Sequence, residues 1–140
     1  LYLVNLNAKR DWGHAKDYVK AMWMILQSDQ AEDWVIGTGK SITVRDFVRL
    51  AFQYVGIELE FIGAKENEIG IVKSCSNKKY SMTIGKEVVA IDKNYYRPTE
   101  VDALVADIEK VKNKLGWSPS YNIEELVNDM MKSELENIQS

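Results

Sequence analysis

The sequence predicts an α/β fold in which several short strands carry about four helices packed over them, with no complete dinucleotide-binding sheet. Three observations support this. Apolar residues recur with helical spacing in four separate segments. The runs between them are short and strand-like, and none is long enough to build a large parallel sheet. Neither of the two glycine patterns that open nucleotide-binding helices is complete.

The elements follow in order. From Ala15, Val19, Met22, Trp23 and Leu26 stand at i, i+3, i+4 and i+7, which places them on one stripe of a helix ending near Gln27, with the stripe expected to face a core. "WVI" at 34–36 reads as a short buried strand. Thr43 is an N-cap candidate for a second helix carrying Val44, Phe47, Val48, Ala51 and Val55 on one face, and Gly56 is placed to stop it. "IELEF" alternates, so Ile57, Leu59 and Phe61 share one side of a half-buried strand, whereas "GAKENEIGIVKSCSNKK" shows no sustained period and reads as a long surface loop. "EVVAID" is a further strand. A third helix is expected from an Asp107 cap through Ile108, Val111 and Leu115 to Gly116, with "WSPS" breaking the chain after it. The fourth starts at Asn122, whose capping-box partner is Glu125, and buries Ile123, Leu126, Val127, Met130 and Met131.

A chain of 140 residues, 46% apolar and 28% charged, suffices for one ordinary core, so a single compact unit is expected. The formal charge of -3 supplies no global basic field for nucleic acid or anionic lipid, so an anion site has to be local. No apolar run reaches the roughly 18 to 20 residues of a membrane span, and the reading is soluble and cytoplasmic. One cysteine and one histidine exclude an internal disulfide framework and argue against a zinc site. Leu1 in place of an initiator Met suggests a piece of a longer chain.

Gly37-Thr38-Gly39-Lys40-Ser41 invites comparison with a phosphate-binding loop. A Walker-type loop needs a first glycine at the position Trp34 occupies, because that residue begins the wrap of N–H groups around the phosphates. The Gly-x-Gly-x-x-Gly pattern fails at Ile42. A strand-to-helix turn with permissive glycines is the simpler reading.

Better anion-gripping chemistry lies elsewhere. Lys9 and Arg10 are adjacent just before a helix, and Arg97 precedes Pro98, which biases the arginine backbone toward an extended form. Each guanidinium is a permanently charged planar fork that matches phosphate oxygens, and two of them converging would neutralise a diphosphate. Glu100 is an acceptor-only carboxylate suited to a ribose diol. His14, flanked by Asp11 and Asp17, has the pKa of a general base, yet no nucleophile accompanies it at a recognisable spacing, and a structural or capping role is favoured. Asp17 complements the helix dipole. Trp23, Trp34 and Trp117 sit in apolar patterns that suit a core, leaving Trp12, beside Arg10, as the aromatic that could stack on a base. Cys75 falls in the polar loop and carries no reactive signature.

Taken together, "NLNAKRDWGHAKDYVKAMW", "DWVIGTGKSITVRDFVRLAF", "YYRPTEVD" and "KLGWSPSYNIEELVNDM" closely resemble the C-terminal part of the GDP-mannose 4,6-dehydratase family of extended short-chain dehydrogenases/reductases, in order over nearly the whole chain. The resemblance implies an NADP-dependent lyase of nucleotide-sugar metabolism, on the route to GDP-fucose, that converts GDP-mannose to GDP-4-keto-6-deoxymannose. Hydride leaves C4, water is lost across C5 and C6, and hydride returns at C6. It also implies a division of labour. Residues 1–140 are the nucleotide-sugar-binding part, and the N-terminal NADP-binding domain, with its Tyr-x3-Lys pair, Ser/Thr and glutamate, is absent. None of the tyrosines at 2, 18, 54, 80, 95, 96 and 121 has a lysine four positions on. By resemblance Arg10 and Arg97 hold the diphosphate, Glu100 the ribose, and Asn5 with Lys9 line the nucleotide region; Val4 stands where the family usually has glycine. No catalytic, cofactor-binding or metal-ligating residue is expected on this chain. GDP-mannose, held through its GDP moiety, is the expected partner, with room for a homo-oligomer and none for nucleic acid or membrane. Two other readings compete: a non-catalytic module that binds a partner chain through apolar surface, and part of a related UDP- or dTDP-sugar epimerase or dehydratase.

Overall fold

A computed structural model describes residues 1–94, 101 and 103–139 of the chain. Its elements are β1 (Tyr2–Leu3), β2 (Lys9–Arg10), α1 (Ala15–Leu26), β3 (Ile42–Thr43), α2 (Val44–Tyr54), β4 (Ile57–Ile62), a single-turn 3-10 helix (Lys65–Asn67), β5 (Ile69–Cys75), β6 (Glu87–Ile91), α3 (Glu109–Leu115) and α4 (Ile123–Gln139). The α/β class and the four helices agree with the sequence.

The single compact unit expected from length is replaced by two. One comprises Leu1–Ala8 and Thr43–Asp102, the other Lys9–Ile42 and Ala103–Ser140. The chain passes from one to the other three times, at ordinary residues rather than at a Pro- or Gly-rich linker, so composition carries no sign of the boundary.

The first unit is built on a four-stranded sheet in the order β1-β6-β5-β4. β1 runs parallel to β6, with Tyr2 opposite Ala90, and the other two pairings are antiparallel. α2 lies against β4. Its start is fixed by Thr43, whose hydroxyl accepts the Asp46 N–H at 3.0 Å. Its end is fixed by Gly56 at φ +75°, where a side chain would be strained. The alternation in β4 holds: Ile57 and Leu59 are buried, Phe61 half-buried, and Glu58 and Glu60 exposed. With Val48, Val55, Val72, Val89 and Ile91 they form the apolar interior of this unit.

The expected long loop is wrong in its centre, because Ile69–Cys75 is β5, an inner strand of the sheet. Its buried face consists of Gly70 and Val72, and a glycine on the inward face hides the period of two. The glycine is there because space is short. A Cβ at position 70 would lie 3.0 Å from Val89 Cβ and 3.1 Å from Phe61 Cε1. Cys75 therefore ends a strand instead of lying in a loop.

The second unit packs α1 and α3 around Ala21, Val111 and Trp117, with Tyr18, Met24, Trp34, Ile36, Ile108 and Leu115 at the edge of the cluster. α3 stops at Gly116, φ +66°, as expected. Its cap differs by one residue: Ile108 is the N-cap, while Asp107 Oδ1 accepts the Glu109 N–H at 3.0 Å. The capping box of α4 is complete, since Asn122 N–H donates to Glu125 Oε2 and Glu125 N–H donates to Asn122 Oδ1, each at 2.8 Å. Leu126 and Val127 are buried, but Met130 is 51% exposed.

Three other expectations fail here. The α1 stripe does not face the core: Val19, Met22, Trp23 and Leu26 are 64%, 61%, 63% and 80% exposed. The buried side of α1 carries Asp17 and Ala21, a polar and a small residue that a search for large apolar side chains passes over. "WVI" forms no strand, because no ladder partner stands beside it among the described residues. Trp34 is half-buried against the core cluster, with Lys110 Nζ 4.9 Å from its ring centroid, and Val35 is exposed. Trp23, assigned to a core by pattern, is on the surface.

Candidate functional site

In the first unit, Asn5 belongs to a turn at residues 4–8 that is held at several points. Asn5 Oδ1 accepts the Asn7 N–H at 2.9 Å, closing an Asx-type turn. The two leading amides of α2, which have no partner within the helix, donate to this segment: Val44 N–H to the Ala8 carbonyl and Arg45 N–H to the Leu6 carbonyl, both at 3.0 Å. Leu6 and Ala8 point inward and are buried, whereas Asn7 is exposed and Asn5 half-buried. Val4 is not among the residues with positive φ, so the backbone there accepts a valine without strain.

In the second unit, Lys9 and Arg10 form β2. Lys9 is exposed, Arg10 is half-buried, and Arg10 Nη1 donates to the Lys9 carbonyl at 2.8 Å. Ala103 bridges to Lys9 in parallel, and Leu104 N–H donates to the Lys9 carbonyl at 3.3 Å. Arg97 and Glu100 lie outside the described residues, so the predicted meeting of Arg10 and Arg97 falls there too.

Asp11, which sequence reasoning passed over as a companion of His14, organises this region. Its Oδ1 accepts the Thr38 N–H at 2.8 Å and the Thr38 hydroxyl at 2.6 Å, and its Oδ2 accepts the Gly39 N–H at 3.0 Å and the Ala106 N–H at 3.1 Å. The amides of the Gly-Thr-Gly turn are thus turned onto a carboxylate of the protein itself. These residues do not fit a dinucleotide pyrophosphate. The available signal was the Gly-Thr-Gly run itself, whose free N–H groups need an acceptor from somewhere.

His14 is buried and caps α1, with Nδ1 accepting the Lys16 N–H at 3.1 Å. That contact assigns the ring proton to Nε2, which faces Asp129 Oδ2 at 2.9 Å. The ring also stacks on Tyr121 with centroids 4.0 Å apart. Both nitrogens and one face are occupied, which suits the capping role and leaves no free base. Lys16 above all, and then His14, hold the Asp129 carboxyl below its usual range. Asp17 is 3% exposed, and burial pushes its carboxyl up. Donation from the Ser120 hydroxyl and from the Tyr121 and Ser120 amides more than offsets this and brings it below the usual range.

Trp12, Thr38, Lys40 and Ile42 form one wall, and Pro119 to Glu125 the other, of a cleft of about 570 Å³ within the second unit. The volume suits a small molecule. Several of its polar groups are already engaged: Thr38 with Asp11, Ser120 with Asp17, and Asn122 with Glu125. Among the described residues no cluster of metal-ligating side chains occurs, and no helix is long and apolar enough to cross a membrane.

Comparison with solved structures supports the architecture. UDP-glucose 4-epimerase from Thermotoga maritima, solved with UDP-glucose, superposes with a TM-score of 0.70 over 99% of this chain and 35% of its own, at 19% identity. dTDP-glucose 4,6-dehydratase from Bacillus anthracis, solved with NAD, gives a TM-score of 0.65 over 99% and 34%, at 20% identity. At such identities the likeness shows the fold alone, one shared with about a third of each of these two proteins. Sequence relatives are far nearer. The GDP-mannose 4,6-dehydratase of Yersinia enterocolitica is 47% identical over 97% of this chain and 37% of its own length, and the human enzyme of that name is 48% identical over 96% and 34%. The chain spans little more than a third of the curated relatives it matches. A family model described as GDP-mannose 4,6 dehydratase covers residues 1–130, which include the Asn5 turn, the Lys9–Arg10 strand and the Asp11-bound glycine turn, and by that match the chain belongs to the GDP-mannose 4,6-dehydratase family.

Proposed function

We propose that this chain is the nucleotide-sugar-binding portion of an NADP-dependent GDP-mannose 4,6-dehydratase, a lyase acting on GDP-mannose. The observation that carries the reading is the family match over residues 1–130, with every binding residue expected by resemblance inside it. Arg10 and Arg97 neutralise the diphosphate, Glu100 accepts from the ribose diol, and Asn5 and Lys9 line the nucleotide. Support for the arginine pair comes from Ala103: it lies six residues beyond Arg97 in sequence and pairs with Lys9, the neighbour of Arg10. NADP is the cofactor the family implies, supplying hydride transfer when bound. Its site lies on another part of the full-length enzyme, and the residues described here supply substrate binding rather than acid-base chemistry.

Titration of GDP, UDP and dTDP against the chain, followed calorimetrically, tests this. GDP is expected to bind most tightly, and Arg97→Ala to weaken it at least tenfold. Equal affinity for all three nucleotides, or an Arg97→Ala variant that binds GDP as the unmodified chain does, sinks the assignment.

A second reading draws on the exposed stripe of α1. Val19, Met22, Trp23 and Leu26 offer an apolar face to solvent, as a surface that receives another polypeptide does. Sedimentation of the chain would settle it: self-association abolished by Trp23→Gln favours this reading, and a monomer at all concentrations removes a second copy as the partner.

A further inference from the structure

We propose that Arg45, clamped by the buried carboxylate of Glu68, is a positioning residue that sets the conformation of the Asn5–Ala8 segment and thereby the contact of Asn5 with the nucleotide. The ligand half of this statement rests on the reading above; the positioning half stands on the first unit alone.

Glu68 is 6% exposed, and a carboxylate so buried needs partners. Arg45 supplies them in a fork: Nε donates to Oε1 and Nη2 to Oε2, each at 2.8 Å. Nη2 also donates to Asn7 Oδ1 at 2.7 Å. The same Asn7 gives its backbone N–H to Asn5 Oδ1, so the chain of contacts runs without a gap from Glu68 through Arg45 and Asn7 to Asn5. The arginine backbone adds a second grip through the Leu6 carbonyl. Arg45 and Arg49 carry their guanidinium carbons 5.7 and 5.1 Å from the centroid of Phe61, which confines the fork on one side.

The base of the clamp is itself fixed. Glu68 follows the 3-10 turn Lys65–Asn67, which is entered through Gly63 at φ +86°, where a Cβ would meet the Asn67 carbonyl oxygen at 2.4 Å. Asn67 Oδ1 accepts from Lys93 Nζ at 3.0 Å, four residues before Arg97. One turn therefore anchors the Asn5 segment and also holds Lys93, just after β6. A lysine at 45 would keep the charge and lose the planar fork, so it could not serve both Glu68 and Asn7 in this geometry.

The test compares the unmodified chain with Arg45→Lys, Asn7→Ala and the double variant. Backbone 15N order parameters at residues 5–8, sheet amide protection in β4–β6, and the GDP dissociation constant are measured on each. Arg45→Lys is expected to lower the order parameters from roughly 0.85 to below about 0.6 while leaving sheet protection unchanged, and to raise the GDP dissociation constant at least tenfold. In the double variant the arginine change should add little to the effect of Asn7→Ala, because both act through one contact. Unchanged order at residues 5–8 in Arg45→Lys overturns the proposal whatever GDP does, and so does full additivity. Should Arg45→Lys unfold the unit, Asn7→Ala removes only the exposed end of the chain of contacts and gives the same readout. If the unmodified chain binds no GDP, the nucleotide reading of Asn5 fails and the order parameters still decide the positioning role.

Discussion

The Asp11 carboxylate receives both the backbone N–H and the hydroxyl of Thr38, at 2.8 and 2.6 Å, from 27 residues away in the chain. This pair decides what the glycine turn is for. A phosphate loop presents unpaired amides to an incoming anion. Here the anion is built in, and it also takes the Gly39 and Ala106 amides, so one side chain joins the start of α1, the glycine turn and the segment before α3.

Asp11→Asn should therefore be costly. The carboxamide places an NH2 group where donors already point, and at least one of the three amides loses its acceptor. Leaving such groups unsatisfied costs about 1–3 kcal/mol. Urea denaturation of the variant is the check, and a change below about 0.5 kcal/mol would mean that the network contributes nothing.

The same turn predicts that its two glycines fail differently. A Cβ at Gly37 would fall 2.3 Å from Ala106 Cβ and 2.9 Å from Asp11 Oδ2, so Gly37→Ala pushes apart the segments Asp11 joins. Overpacking of this kind costs about 1–3 kcal/mol. Gly39 has only ordinary contacts, the nearest at 3.5 Å, but φ is +72°, so Gly39→Ala costs about 1–2 kcal/mol through the backbone alone. Gly39→Asn separates the two causes, because asparagine tolerates left-handed backbone. It should recover most of the Gly39→Ala loss, and thermal melts of the three variants would show whether it does.

Acid should weaken the second unit through Asp17. Burial raises this carboxyl, the Ser120 and Tyr121 donors lower it further than burial raises it, and the folded value ends below the unfolded one. A depressed carboxyl stabilises the fold above its unfolded pKa, about 3.9, and that contribution is lost as pH falls through the folded value. The stability gap between the unmodified chain and Asp17→Asn should thus be widest near neutrality and shrink below about pH 4. A gap that stays constant from pH 7 to pH 3 contradicts the assignment.

These residues also show what could and could not be seen in the sequence. Local chemistry was legible: the Thr43 cap, the Asn122–Glu125 box, the Gly56 and Gly116 stops and the alternation of β4 depend on neighbours within a turn or a strand. The family was legible through resemblance, and the match over residues 1–130 bears it out. β5 was hidden by the inward glycine at 70, whose necessity comes from Val89 and Phe61 on other strands. Asp11 and Arg45 were hidden for the same reason. Their partners lie 27 and 23 residues away, and no local pattern reports a contact at that distance.

The face of α1 gives the last prediction. Helical spacing correctly placed Val19, Met22, Trp23 and Leu26 on one stripe, yet spacing does not say which side of a helix meets the interior. Here Asp17 and Ala21 do, because Asp17 accepts Ser120 and Tyr121 and its carbonyl accepts Trp117 Nε1 at 3.1 Å. A residue that already stands in water loses little on replacement, so Trp23→Gln should change stability by less than about 0.5 kcal/mol. Trp117→Phe, at 1% exposure, removes a buried hydrogen bond as well as packing and should cost about 2–4 kcal/mol. If Trp23→Gln proves as damaging as Trp117→Phe in the same urea titration, the stripe is buried in solution and a second polypeptide or another copy must be covering it. Dilution then distinguishes those two, since only self-association makes the midpoint depend on protein concentration.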